Sequence, residues 1–107
     1  MTLVSEIYRA SEQFPNEEKF GLSSQIRRAA VSIPSNIAEG CERESRKDFA
    51  NFLVIAKSSA AELETQILIA ADLKYLSKEK MDELVSKIIE IKKMLIGLRK
   101  KVLKTDL

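Results

Sequence analysis

Histidine and tryptophan are absent from this 107-residue chain, and cysteine, proline and glycine are scarce. Without histidine, the protein lacks the most common general base and the most common metal ligand of enzymes. The single cysteine, Cys41, cannot form an internal disulfide. Three glycines and two prolines disfavour a β architecture rich in tight turns. With only 6% aromatic residues, the core must be largely aliphatic, which suits helices packed on helices.

The acidic residues form no pattern that replaces the missing histidine. Glu62 and Glu64 stand two residues apart, so on a helix they point in different directions. Glu39 and Glu42 can share a face, but a di-metal bundle also requires Glu-x-x-His pairs. The three glycines are too far apart for a glycine-rich phosphate loop. We therefore predict no catalytic residue, no metal site and no cofactor, and we interpret the protein as not being an enzyme.

Long apolar runs are also missing. The first residues lack the apolar segment of a signal peptide, and no stretch has the roughly 20 uncharged apolar residues that span a bilayer. A lone cysteine agrees with a reducing compartment. These features predict a cytoplasmic protein without a membrane partner.

Hydrophobic periodicity predicts four helices within a single domain, 1–107. The expected ranges are 2–13, 22–40, 45–73 and a fourth helix from about 78 onward. Phe14-Pro15 ends the first helix, and Ser23 or Ser24 can cap the second. Ser45 and Ser77 are expected to cap the third and the fourth. The short links favour an all-α fold, an antiparallel up-down-up-down four-helix bundle.

The third and fourth helices carry more apolar residues than a bundle core requires. Beside its main row, the fourth helix has a second row, formed by Val85, Ile89, Ile96 and Leu103. The third helix adds Val54, Ile55, Leu68 and Ile69. Two interpretations remain open. Either the core is unusually broad, or these rows are buried between subunits, because large exposed apolar patches are rare on monomers.

Pro34 lies inside the predicted second helix. Proline at this position removes a backbone hydrogen bond and clashes with the carbonyl of Ala30, at a cost of roughly 3 kcal/mol. Ser32 and Asn36 flank it and are expected to bond the carbonyl that the proline frees. A direct role of these two residues in binding a ligand is the alternative.

The basic residues are unevenly distributed, although the net charge of +2 is too small to predict nucleic-acid binding by itself. The candidate residues for contacts with RNA or DNA are Arg27, Arg28, Arg43, Arg46, Lys47, Lys92, Lys93, Arg99, Lys100, Lys101 and Lys104. They form either a solvated basic surface or a set of phosphate contacts. The adjacent pair Arg27 and Arg28 must diverge on a helix. One is therefore expected at the core edge, paired with a carboxylate such as Glu39 or Glu62, and the other in solvent.

The stretch QIRRAAVSIPSNIAEG, followed by Arg43, KDFANFL and IAKSSAAELETQILIA, resembles one protein family from about residue 14 to residue 76. The family comprises the four-helix bundle proteins encoded in intervening sequences of bacterial 23S ribosomal RNA genes. Its signature positions correspond here to Arg27, Arg28, Ser32, Pro34, Asn36, Glu39, Gly40 and Arg43.

The resemblance implies a left-handed antiparallel bundle that assembles into a ring-like homopentamer. Related accessory proteins of diversity-generating retroelements share this bundle and bind nucleic acid and a reverse transcriptase. The family carries a longer first helix than the one predicted here, so we expect one end of the bundle to be less well covered.

Two hypotheses for function follow. In the first, a non-enzymatic homo-oligomer binds structured RNA or DNA through its basic residues, because a ring repeats one weak patch at high effective concentration. In the alternative, the protein is an interaction scaffold, for example an accessory subunit of a polymerase or reverse transcriptase, without a direct nucleic-acid role.

Overall fold

In the computed structural model, which describes residues 2–104, the chain forms four α-helices and no strand. The helices are α1 (Thr2–Ser11), α2 (Leu22–Cys41), α3 (Arg46–Asp72) and α4 (Lys78–Lys104), with a short 3-10 helix at Asn16–Glu18. The all-α class with four helices is confirmed. α1 ends two residues before the predicted limit, because the chain must leave helical geometry ahead of Pro15.

Two of the predicted helix caps are confirmed and one is wrong. The Ser45 hydroxyl accepts from the Asp48 amide at 3.0 Å, and the Ser77 hydroxyl accepts from the Lys80 amide at 3.1 Å. α2 instead follows Gly21 without a side-chain cap from a serine. The Leu22 amide donates to Oε1 of Glu18 at 3.0 Å. The carboxylate arrives from the 3-10 helix, and its negative charge suits the positive end of the α2 dipole.

Consecutive helices lie side by side: α1 packs on α2, α2 on α3 and α3 on α4. The larger of two buried clusters joins all four helices and includes Ile7, Ile26, Leu63 and Ile88. The Tyr75 hydroxyl donates to Glu18 at 3.0 Å, and the Tyr75 ring lies 5.4 Å from that of Phe14. We call this part of the molecule the covered half.

A smaller cluster lies at the other end of the molecule. Its buried members are Leu53, Ala56 and Leu95, and Phe49 and Val102 pack against it. The end of α2, the start of α3 and the end of α4 therefore meet here, and we call this part the open half. α1 is only 10 residues long, whereas α3 and α4 have 27 each. Glu6 of α1 reaches Lys87 of α4 at 2.6 Å, and α1 does not extend along the open half.

The second apolar rows are not used in the core of this chain. The side chains of Val54, Ile55, Leu68, Ile69, Ile89, Ile96 and Leu103 are between 39% and 49% exposed. Lys92 and Glu64 form an ion pair of 3.0 Å between α4 and α3. Because residues three and four apart are neighbours on a helix, Ile89 and Ile96 flank Lys92, and Leu68 lies beside Glu64. We call Val54, Leu68, Ile89, Ile96 and Leu103 the α3–α4 face.

No helix within residues 2–104 is both long enough and apolar enough to cross a membrane.

Candidate functional site

Ser32 and Asn36 make their contacts within the protein. The Asn36 side-chain amide donates to the carbonyl of Ser32 at 2.8 Å and to its hydroxyl at 2.9 Å. That hydroxyl shares a hydrogen bond of 2.8 Å with the Ser59 hydroxyl of α3. Asn36 therefore bonds a different carbonyl from the one of Ala30 that Pro34 frees, because its side chain reaches back one turn from its own position. The network joins α2 to α3 beside the proline.

Gly40 lies within α2 rather than at a loosened helix end, because α2 continues to Cys41. A Cβ atom on Gly40 would lie 2.8 Å from Cβ of Phe52 and 2.9 Å from Cδ1 of Phe49. Glycine is thus required for the close approach of α2 and α3. Glu39, next to it, forms an exposed ion pair of 3.4 Å with Arg43. The Arg43 guanidinium also lies 4.7 Å from the centre of the Phe52 ring.

Of the arginine pair, Arg27 is half-buried and Arg28 is exposed. Arg27 donates from Nε to the Ser11 hydroxyl at 2.7 Å and from Nη2 to the Tyr8 carbonyl at 3.3 Å. Its guanidinium lies 4.8 Å from the centre of the Tyr8 ring. The expected carboxylate partner is therefore wrong. The end of α1 supplies a hydroxyl, a carbonyl and an aromatic ring at closer range, so Arg27 holds α1 on α2.

The lysines of the first part of α4 are all engaged in ion pairs. Their partners are Asp82 for Lys78, Glu83 for Lys80, Glu6 for Lys87 and Glu64 for Lys92, at 2.6 to 3.1 Å. Residues 93–104 then contain five basic residues and no acidic one. Within residues 2–104, no carboxylate forms an ion pair with Lys93, Arg99, Lys100 or Lys104.

Three of these lysines share one face of α4. Lys93, Lys100 and Lys104 are spaced by seven and four residues, which aligns them on a helix. Gly97 lies between them, and a Cβ atom built there meets nothing within 4 Å. We call these four residues the basic stripe. It combines positive charge with a stretch of bare backbone.

Arg46 and Lys47 join the stripe at the same end of the molecule. Both are exposed in the first turn of α3, just ahead of Phe49. Phe49 packs on the same cluster as Val102 of α4. The fold therefore brings together basic residues from two helices, whereas Arg27, Arg43 and Lys92 are engaged elsewhere. Lys101 is exposed in the same turn as Lys100 and Lys104.

The family model of the 23S rRNA-intervening sequence protein matches residues 1–97. The chain belongs to this family. A crystal structure of a protein of unknown function from the S23 ribosomal protein family of Bacteroides thetaiotaomicron VPI-5482 is similar to it throughout. The two are 33% identical, the match covers 92% of this chain and 89% of that one, and the TM-score is 0.85. No curated protein matches the sequence.

This member of the intervening-sequence family has an apolar groove in its open half. The groove lies between α2 and α4 and has a volume of about 750 Å³. Its floor and walls are formed by Ile33, Ile37, Ile91, Met94, Leu95 and Leu98, and its edge by Gly97, Lys100, Lys101 and Lys104. Sequence reasoning did not identify this groove. The available signal was the short first helix, but a helix length alone does not tell which residues it leaves uncovered.

The remaining reactive groups of this family member do not form a chemical site. Residues 2–104 contain no group of three or more His, Cys, Asp or Glu side chains that could hold a metal ion. Cys41 is exposed at the end of α2. In the covered half, the hydrogen bond from Tyr75 to the Glu18 carboxylate, together with burial, raises the pKa of Tyr75 above its ordinary value of 10.0.

Proposed function

We propose that this protein is a non-enzymatic, self-associating helical protein of the cytoplasm that binds the phosphate backbone of structured RNA or DNA. The binding surface in this proposal is the basic stripe of α4 together with Arg46 and Lys47. One observation carries it: along α4, the lysines change from ion-paired in the covered half to unpaired at the basic stripe.

Unpaired surface cations are the groups from which a phosphate contact gains most. A lysine that already pairs with a carboxylate must lose that partner, whereas Lys93, Lys100 and Lys104 have none to lose among residues 2–104. Each phosphate they neutralise releases counterions into solution. Gly97 leaves room for a sugar-phosphate backbone to approach the helix closely. Such contacts supply affinity without reading the base sequence.

The proposed assembly is a ring-like homo-oligomer of antiparallel up-down-up-down bundles, with a pentamer as the expected state. The α3–α4 face supports it, because its five apolar residues are 39% to 49% exposed in one chain. Burial of such a face between copies removes apolar surface from water. Each added copy repeats the basic stripe, so that a net charge of only +2 per chain yields a large combined field.

Salt-dependent binding tests the nucleic-acid proposal. Fluorescence anisotropy of a labelled RNA hairpin, and of a DNA hairpin of matching sequence, is followed between about 50 and 200 mM salt. We expect a steep loss of affinity with salt. The double variant Lys93→Ala/Arg99→Ala should bind more weakly and reduce the slope of log affinity against log salt by roughly 2.

The matched control is Lys78→Ala/Lys80→Ala, which removes the same charge from ion-paired positions on the same helix. It should leave the slope nearly unchanged. Affinity that is independent of salt, or an equal loss in both double variants, would contradict the proposal.

Light scattering on a sizing column tests the assembly. The native chain should have several times the mass of one protomer, and Leu68→Glu/Ile96→Glu should lower that mass, since both changes place charge in the α3–α4 face. Ile69→Glu is the control, because Ile69 is equally exposed on α3 but outside this face. A native protein that runs as a monomer would refute self-association.

The second candidate function is a scaffold that binds another protein, such as a polymerase subunit, without touching nucleic acid. The exposed α3–α4 face favours it if that face meets a different protein instead of another copy. A partner that remains bound after nuclease treatment, together with a hairpin affinity that does not respond to Lys93→Ala/Arg99→Ala, would identify this case.

A further inference from the structure

The groove of the open half begins where α1 ends. Ile33 of α2 and Ile91 of α4 contribute to the core of the covered half and also line the groove. One turn before Ile91, Lys87 pairs with Glu6 of α1. α2 and α4 thus present one continuous apolar channel, of which α1 covers only the first part.

The uncovered part of this channel is apolar and open to water. Met94 is 65% exposed and Leu98 is 37% exposed, although both belong to the groove lining. Grooves of this kind between two helices accept the apolar face of a third helix. Methionine is unbranched and flexible, and it therefore adapts to the side chains of a helical ligand.

The edge of the groove adds a charge requirement. Lys100, Lys101 and Lys104 stand along it, and no acidic residue lines the groove. A helix that filled the channel would place its polar face against these lysines. An acidic polar face is favoured there, and a basic one is repelled.

The dimensions set the size of the occupant. From Ile91 to Lys104, α4 covers 14 residues, or about 20 Å at 1.5 Å per residue. A ligand helix that matches this length has three to four turns. Its apolar side chains would recur at positions i, i+3 or i+4 and i+7 to face Ile37, Met94 and Leu98.

We propose that the groove between α2 and α4 is the docking site for an acidic amphipathic helix of a partner protein. A nucleic acid is a poor occupant, because its phosphates gain nothing from a floor of isoleucine, leucine and methionine. A second copy is also a poor occupant. The apolar face of α1 is already used in its own core, and α4 would bring lysines toward lysines. The proposal goes beyond the proposed function and does not depend on it.

The test uses a labelled 14-residue peptide that is helical, with leucines on one face and glutamates on the other. Fluorescence anisotropy measures its affinity for the full-length protein. A peptide with lysine in place of each glutamate, and a scrambled peptide of the same composition, are the comparison ligands. We expect the acidic peptide to bind at least about tenfold more tightly than either comparison peptide.

A pair of variants at one position separates charge from apolar contact. Met94→Glu and Met94→Lys remove the same exposed side chain, so neither is expected to disturb the fold. Met94→Glu should weaken the acidic peptide by at least about tenfold relative to Met94→Lys. Ile55→Glu is the control, since Ile55 is an exposed apolar residue of α3 that does not line the groove. It should leave peptide affinity unchanged.

Three results would overturn the proposal: no binding of the acidic peptide, equal binding of the acidic and basic peptides, or equal effects of Met94→Glu and Met94→Lys. A fall in assembly mass in both Met94 variants would assign the groove to a second copy instead. Loss of the hairpin affinity in Met94→Lys, which adds positive charge, would assign it to nucleic acid. Lys93→Ala/Arg99→Ala should lose hairpin binding and keep peptide binding, because neither residue lines the groove. The two proposals can therefore fail separately.

Discussion

The covered half and the open half are built from the same three long helices, but they differ in what remains available to a partner. In the covered half, α1 closes the layer, and side chains such as Leu63, Ile67 and Leu84 are fully buried. In the open half, only Leu53, Ala56 and Leu95 form the buried cluster, and a groove runs beside them. The length of one short helix thus separates a part that provides stability from a part that can bind.

The charges follow the same division. Lysines of α4 in and next to the covered half pair with carboxylates of α1, α3 and α4 itself. Beyond Lys92, the helix has five basic residues and no acidic one. An apolar groove and a basic stripe therefore occupy one end of the molecule, where ordinary surface ion pairs would otherwise neutralise the lysines.

Leucine truncation on α4 is the largest expected effect and tests the comparison directly. Leu84→Ala should cost about 3–5 kcal/mol, because its buried cavity cannot collapse. Leu95→Ala should cost less, about 2–3 kcal/mol, since Leu95 borders the groove and its neighbours have room to relax. Urea denaturation measures both values. Equal losses would mean that the open half is as tightly packed as the covered half.

The two glycines of the open half should respond in opposite directions to alanine. Gly40→Ala places a methyl group against Phe49 and Phe52 and should destabilise the protein by about 1–3 kcal/mol. Gly97→Ala meets no neighbour and should stabilise α4 by about 0.5–1 kcal/mol. Thermal unfolding of the two variants tests this. Destabilisation by Gly97→Ala would indicate that α4 has a close contact there within the protein.

Tyr75 gives the smallest effect and is specific to the covered half. Its raised pKa means that the hydrogen bond to Glu18 contributes fully below pH 10.0. That contribution is lost as the pH rises through the raised value. In a Tyr8→Phe background, absorbance titration should give a Tyr75 midpoint above 10.0. Adding Glu18→Gln should move the midpoint back toward 10.0, and no movement would exclude Glu18 as the cause.

Much of the fold follows from local sequence signals. The four helices, the caps at Ser45 and Ser77 and the membership in the intervening-sequence family were all predictable. The candidate site was predictable only as a set of eleven basic residues. Arg27, Arg43 and Lys92 belong to that set and make internal contacts, and nothing in their spacing distinguished them from Lys93 or Lys100.

The amino-acid sequence by itself determined which segments are helical, because apolar spacing, capping hydroxyls and Pro15 act over a few residues of chain. Only the tertiary structure decided which lysines are paired and which apolar rows are covered. Glu6 and Lys87 are 81 residues apart, and Glu64 and Lys92 are 28 apart. Contacts at such separations depend on how far α1 reaches along its neighbours, and that is a property of packed helices in space.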